Sequence, residues 1–179
     1  MSDKDFNVRC ELAALYRILH MYGMTDLANQ CAGARSIENK DNSFVHPYGM
    51  FYEEITASSL VKINKEGKAI ENDNPWLNDG CNNLAKWIFN ARQDVNFYVH
   101  GHANDVMAVG GTKEGLMYLS QAAVYLNHLI GYVDYEFVED KDYGNKFMSL
   151  IKQHDILITR THGYYTCLLY TSDAADEST

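Results

Sequence analysis

The chain has 179 residues, of which 46% are hydrophobic and 22% charged, and it carries a net charge of −9. That is the balance of one ordinary globular domain rather than of a disordered or fibrous chain. Acidity on this scale excludes a broad basic face for nucleic acid, and no apolar run approaches the roughly 18 residues that a membrane-crossing helix needs.

The elements follow in chain order. Residues 7–22 place Leu12, Leu15, Tyr16 and Leu19 at three- and four-residue spacing, which predicts a helix stopped by Gly23. Residues 43–52 hold a short strand interrupted at Pro47, with a turn near Gly49. Thr56 is placed to cap a helical turn, and residues 60–64 and 68–71 read as a hairpin around "NKEG". "NDNPWLNDGCNN", residues 72–83, is a loop by composition, and residues 84–91 a helix. A strand over 95–102 precedes a short helix from Asn104, broken by Gly110 and Gly111. A helix capped by Ser120, a strand over 132–137, a helix over 142–153 and an apolar strand from Asp155 complete the pattern. The early hairpin predicts a mixed α/β arrangement rather than a purely parallel sheet.

The strand ending "FYVHGH" carries the chemistry. Residues i and i+2 of a strand share a face, so His100 and His102 project side by side. "TRTHG" puts His162 in the same setting, at the end of an apolar strand beside a glycine. Three imidazoles can hold Zn2+ with a fourth position open, the arrangement of a catalytic rather than a structural site. Imidazole also suits other divalent metals, including Fe2+ and Mn2+. The bland alternative is a histidine cluster without metal, and His20, His46, His128 and His154 read as ordinary polar residues. Four scattered cysteines without a C-x-x-C pair, behind a polar start, point to a reducing, cytoplasmic setting.

Several separate motifs in order resemble the class II aldolase/adducin family. They are "ELAALYRILHMYGMTDLANQCAGAR", "FVHPYGMFYEEITASSLVKINKEGKAIE", "IFNARQDVNFYVHGH" and "ITRTHG", the second being most similar to the adducin-head branch. The resemblance implies a three-layer α/β/α sandwich around a largely antiparallel mixed sheet, and a homo-oligomer with its site between subunits. It also implies that His100, His102 and His162 bind Zn2+, or another divalent metal, for retro-aldol C–C cleavage of a small hydroxy-carbonyl substrate. Under the adducin alternative the domain is non-catalytic, works in assembly, and its partners are actin and spectrin.

The departures from the family pattern are specific. The proton-moving glutamate of the family's aldolases falls near Cys81, in a segment without glutamate; Asp79 is the nearest carboxylate. Cys81 can replace it only as a thiolate, and reads otherwise as a small buried hydrophobe. No catalytic residue is assigned. The family's phosphate-binding pairs correspond to Gln30-Cys31, Tyr48-Gly49 and Asp79-Gly80, of which only Gly49 is kept as a substrate-binding position. An aspartate in that set opposes a phosphorylated substrate. Ala85 stands where adducin-like relatives usually carry a histidine, and Thr161 where the family's His-Gly turn has asparagine. The resemblance weakens near Tyr165, so residues 1–166 are expected to form the domain, incomplete at its C-terminus. Residues 167–179 are expected to be a non-native or disordered acidic tail, and the product marginally stable or aggregation-prone.

Overall fold

A computed structural model describes residues 3–71, 76–136 and 141–168. The first helix, α1 (Asp3–Met21), buries Val8, Leu12, Tyr16 and Leu19 along one stripe. It stops as its sequence requires. Gly23 takes φ +66°, its N–H bonds the His20 carbonyl, and the Met24 N–H bonds the Leu19 carbonyl. These two bonds close a Schellman turn, in which a residue without Cβ enters the left-handed region at little cost.

The strands are β1 (Cys31–Arg35), β2 (Ser43–Val45), β3 (Val61–Ile63), β4 (Phe97–Gly101), β5 (Ile130–Asp134), β6 (Ile156–Arg160) and β7 (Gly163–Leu168). They form one seven-stranded sheet in the order β3-β2-β1-β4-β7-β6-β5. Every pairing is antiparallel except that of β5 with β6. A parallel pair needs a crossover rather than a hairpin. Here the crossover is α5 (Lys141–Ile151), which buries Phe147 and Ile151. The remaining helices are α2 (Asp79–Ala91), α3 (Asn104–Gly111) and α4 (Gln121–Asn127), with a single 3-10 turn at Tyr52–Glu54.

The sheet separates two cores. Tyr98, Cys31, Leu157 and Tyr165 face α2 and α5, and join Leu84, Trp87, Ile88 and Phe147. Phe97, Val99, Ala32 and Ile158 face the other way, toward α1 and Val106 of α3. This is the expected three-layer sandwich with a largely antiparallel sheet.

Two arginines fix where the metal-motif strand begins. The buried guanidinium of Arg35 donates to the carbonyls of Lys40, Phe89, Arg92 and Val95 at 2.7–2.9 Å, tying β1 to the end of α2. Arg92 donates to Asp94 at 2.7 Å and to Asp155 at 3.0 Å, tying the same corner to the entrance of β6. Bidentate and charge-assisted bonds of this kind fix geometry as well as adding energy.

Several boundaries differ from the sequence expectation. α2 begins at Asp79 rather than at 84, because the Asn78 side chain caps the Cys81 N–H at 3.1 Å. The Asn, Asp and Gly residues that read as loop are the cap and first turn of a helix. α3 includes Gly110 and Gly111 as its last two residues and ends there, and Gly110 sits where a Cβ would strike Ile158 at 2.7 Å. β5 starts two residues earlier than expected and ends at Asp134; Phe137 lies outside the described residues. Thr56 does cap a turn, through Ser59, but the 3-10 helix precedes it. β7 runs through the expected domain edge at 166, so Cys167 pairs with Tyr98 and is buried. Residues 169–179 of the expected tail lie outside the described residues.

Candidate metal centre

The three histidines converge. Their ligand atoms all lie within 4.8 Å of one another, the one such cluster of His, Cys, Asp or Glu among the described residues. His100 is supplied by β4, His102 by the residue just beyond it, and His162 by the turn between β6 and β7. Register produces the meeting: β7 lies between β4 and β6, and pairs His100 with Tyr165 and Gly101 with Tyr164. Gly163 permits the close approach, since a Cβ there would lie 2.5 Å from the Gly101 carbonyl and 2.7 Å from His102 Cδ2.

Hydrogen bonds set the tautomers. His100 Nδ1 lies 3.0 Å from the Tyr164 carbonyl, an acceptor only, so Nδ1 carries the proton and Nε2 the lone pair. His102 Nδ1 lies 3.0 Å from Asp26 Oδ2, which likewise places a proton on Nδ1. The two Nε2 atoms are 3.1 Å apart. At that distance the two nitrogens either share a proton or hold a cation between them. Burial pushes the His100 pKa down to about 3 and that of His162 down to about 4, so neither ring takes up a proton at neutral pH. Neutral imidazoles with aligned lone pairs are what a metal ligand requires. Nitrogen atoms around a tetrahedral Zn2+ sit about 3.3 Å apart, given Zn–N bonds of about 2.0–2.1 Å. The residues present therefore fit a divalent metal.

Aromatic rings hold the imidazoles. His100 stacks on Tyr165 with centroids 4.4 Å apart, and His162 stacks on Tyr135 at 4.3 Å. The histidines open onto a cavity of about 310 Å3, lined also by Asp26, Asn29, Asn78, Gly80, Cys81 and Tyr165. Cys81 lines the cavity, whereas Asp79 is not part of the described lining. Gly49 occupies the turn after β2 at φ +93° and is likewise outside the lining. Sequence reasoning missed Asp26, Asn29, Asn78, Tyr135 and Tyr165. Asp26 sits in the α1–β1 loop 76 residues from His102, and no spacing rule joins them.

Residues 10–175 match the Class II Aldolase and Adducin N-terminal domain family, and the chain belongs to that family. A Caulobacter vibrioides protein provisionally named as an aldolase class 2 protein is 32% identical over 164 residues, covering 91% of this chain and 64% of that protein. Alpha-adducin of Rattus norvegicus is 32% identical over 160 residues, covering 87% of this chain but 22% of the adducin. The crystal structure of an aldolase II superfamily protein from Pseudomonas syringae aligns with a TM-score of 0.89 at 27% identity, over 94% of this chain and 68% of that one. The chain therefore spans just under two thirds of its Caulobacter relative and less than a quarter of the adducin.

Proposed function

We propose that this chain binds Zn2+, or another divalent metal, through His100, His102 and His162, beside a pocket for a small, uncharged hydroxy-carbonyl compound. The observation that carries this reading is the convergence of the three histidine ligand atoms within 4.8 Å of one another, two of them Nε2 atoms 3.1 Å apart. When bound, the ion would supply Lewis-acid polarisation of a carbonyl oxygen. The chain's own residues do the rest. Tyr135 and Tyr165 wall the site with aromatic surface, and Asn29 and Asn78 offer carboxamides to hydroxyl groups.

The lack of net charge in the ligand follows from the lining. No lysine or arginine is among the described residues that line the cavity. A phosphate dianion would meet Asp26 with no cationic side chain in the described lining to hold it. The α2 N-terminus would otherwise attract an anion, but Asn78 occupies its Cys81 N–H and Asp79 adds negative charge in the first turn.

The chemistry inherited with the family is retro-aldol cleavage. Its weak point here is proton transfer, because the one carboxylate in the described lining, Asp26, is held on His102. A general base must reach its proton within hydrogen-bond distance. Cys81 supplies no carboxylate in the glutamate's place, which favours a second reading: a non-catalytic, adducin-like domain acting in homo-oligomeric assembly with actin and spectrin as partners. The exposed large apolar side chains of Tyr118, Leu119 and Tyr125 also favour an assembly role. No described helix is long and apolar enough to cross a membrane. All four cysteines are free, in keeping with a cytoplasmic setting.

Metal analysis of the purified chain tests the common part, with about one equivalent expected and none overturning it. A retro-aldol assay on phosphorylated and unphosphorylated hydroxy-carbonyl compounds then separates the two readings. Turnover of the unphosphorylated compound supports the enzyme. Metal without turnover, together with co-sedimentation on filamentous actin, supports the scaffold.

A further inference from the structure

We propose that the loop of residues 24–30 is a built platform whose purpose is to hold the Asp26 carboxylate against His102, making Asp26 a positioning residue for that ligand. The inference rests on the metal-site reading above and deepens it. The two neighbouring ligands are held in different ways. His100 is inside the β4–β7 ladder, bonded to the Tyr164 carbonyl and stacked on Tyr165. His102 lies one residue past the last ladder pair, Gly101 with Tyr164, so the sheet does not orient its ring. Its Nδ1 bond goes instead to Asp26, at 3.0 Å.

An ordinary surface carboxylate would be a poor anchor. The Asp26 side chain is 47% exposed, and exposed ion pairs contribute little because water competes and both side chains lose freedom. What changes the balance is the loop beneath it. Gln30 is 3% exposed, and its carboxamide turns back into its own loop. With the carboxamide in the orientation that satisfies both of its ends, the side-chain nitrogen donates to the Met24 carbonyl at 3.1 Å and the oxygen accepts from the Asp26 N–H at 3.0 Å. The Asn29 N–H closes the turn onto the Asp26 carbonyl at 2.9 Å. Between them Leu27 holds φ +51°, a left-handed conformation that a leucine adopts only when its surroundings impose it. A buried amide thus spans both sides of the turn and fixes the backbone that carries the carboxylate. Gln30 stands at a position matched in the sequence to one of the family's phosphate-binding pairs. Here its amide is spent on the loop and not offered to a ligand. A carboxylate on the distal nitrogen of a metal-binding histidine fixes its tautomer and raises its basicity.

Two measurements on the full chain test this. Long-range 1H–15N NMR of the metal-free protein at neutral pH should show His102 protonated on Nδ1, with that preference lost in Asp26→Ala and partly kept in Asp26→Asn. Zn2+ affinity by chelator competition should fall about 10–100-fold in Asp26→Ala. It should also fall in Gln30→Ala, which never touches His102 but frees the loop. A wild-type chain with His102 protonated on Nε2 would overturn the inference whether or not metal binds. Equal Zn2+ affinity in wild type and Asp26→Ala would overturn it while leaving the three-histidine site standing. A correct tautomer in a wild type that binds no Zn2+ would overturn the metal reading, and with it the positioning role.

Discussion

Each face of the sheet buries a histidine, and the two are worth setting side by side. His46 lies on the α1 face between Tyr16 and Tyr52; His100 lies on the α2 face against Tyr165. Both are 3% exposed. Burial pushes the pKa of His46 down to about 4 and that of His100 down to about 3. The difference is in what their free nitrogens meet. The Tyr16 hydroxyl donates to the Ala32 carbonyl, so toward His46 Nδ1, 2.8 Å away, it can only accept. His46 Nε2 is left without a partner. The Nε2 of His100 meets a second imidazole whose own proton is pinned on the far side by Asp26. A neutral buried histidine is therefore an ordinary product of packing. A candidate ligand site arises when several such rings have their distal nitrogens fixed, so that their lone pairs share one point.

The largest effect that tests this contrast is on metal content. His100→Ala with His102→Ala should reduce bound zinc from about one equivalent to background, read by elemental analysis, while His46→Gln should leave it unchanged. Zinc lost equally in both variants would erase the distinction between the two histidines.

Acid should expose what the two regions share. A histidine whose folded pKa lies below its unfolded value of about 6.5 contributes stability that is present above that value. The contribution is lost as pH falls toward the folded pKa, because the unfolded chain takes up the proton first. For His46 the window runs from about 6.5 down to about 4, and the loss amounts to about 3 kcal/mol. Urea unfolding of metal-free protein across that range should show it, and His46→Gln should flatten that part of the slope.

Two smaller substitutions sharpen the comparison at the turn. Gly163→Ala forces a methyl against the Gly101 carbonyl and the His102 ring, and should cost about 2 kcal/mol in denaturant unfolding while weakening zinc retention. Thr161 holds φ +61°, where a β-branched residue is strained and asparagine less so. Thr161→Asn should therefore raise stability by about 0.5–1 kcal/mol without altering metal content.

How much was legible in the sequence depends on the range of the forces involved. The α1 stripe, its Gly23 stop, the Ser120 cap and the β4 strand are local patterns, and each appears where the spacing puts it. The start of α2 was not legible, because Asn, Asp and Gly are both loop formers and first-turn residues, and only the Asn78 bond to Cys81 decides between them. At the centre, the H-x-H pair could be read from strand period alone. His162 could be read from its strand-end setting, and its meeting with the others awaited the β4-β7-β6 order. Asp26 belonged to no pattern. Its role depends on a backbone bend at Leu27 and an amide clamp from Gln30, neither of which leaves a periodic trace.

The position of β7 has a consequence for how the molecule is made. It lies between β4 and β6, yet it is synthesised after both. Until it emerges from the ribosome, the nascent chain holds two separate ribbons, β3-β2-β1-β4 and β6-β5, each with an unsatisfied edge. Such edges are templates for pairing with other chains. Non-local pairing of this kind is also slow. A nascent chain in which β6 has formed and β7 has not would therefore leave both open edges exposed to whatever polypeptides reach them first.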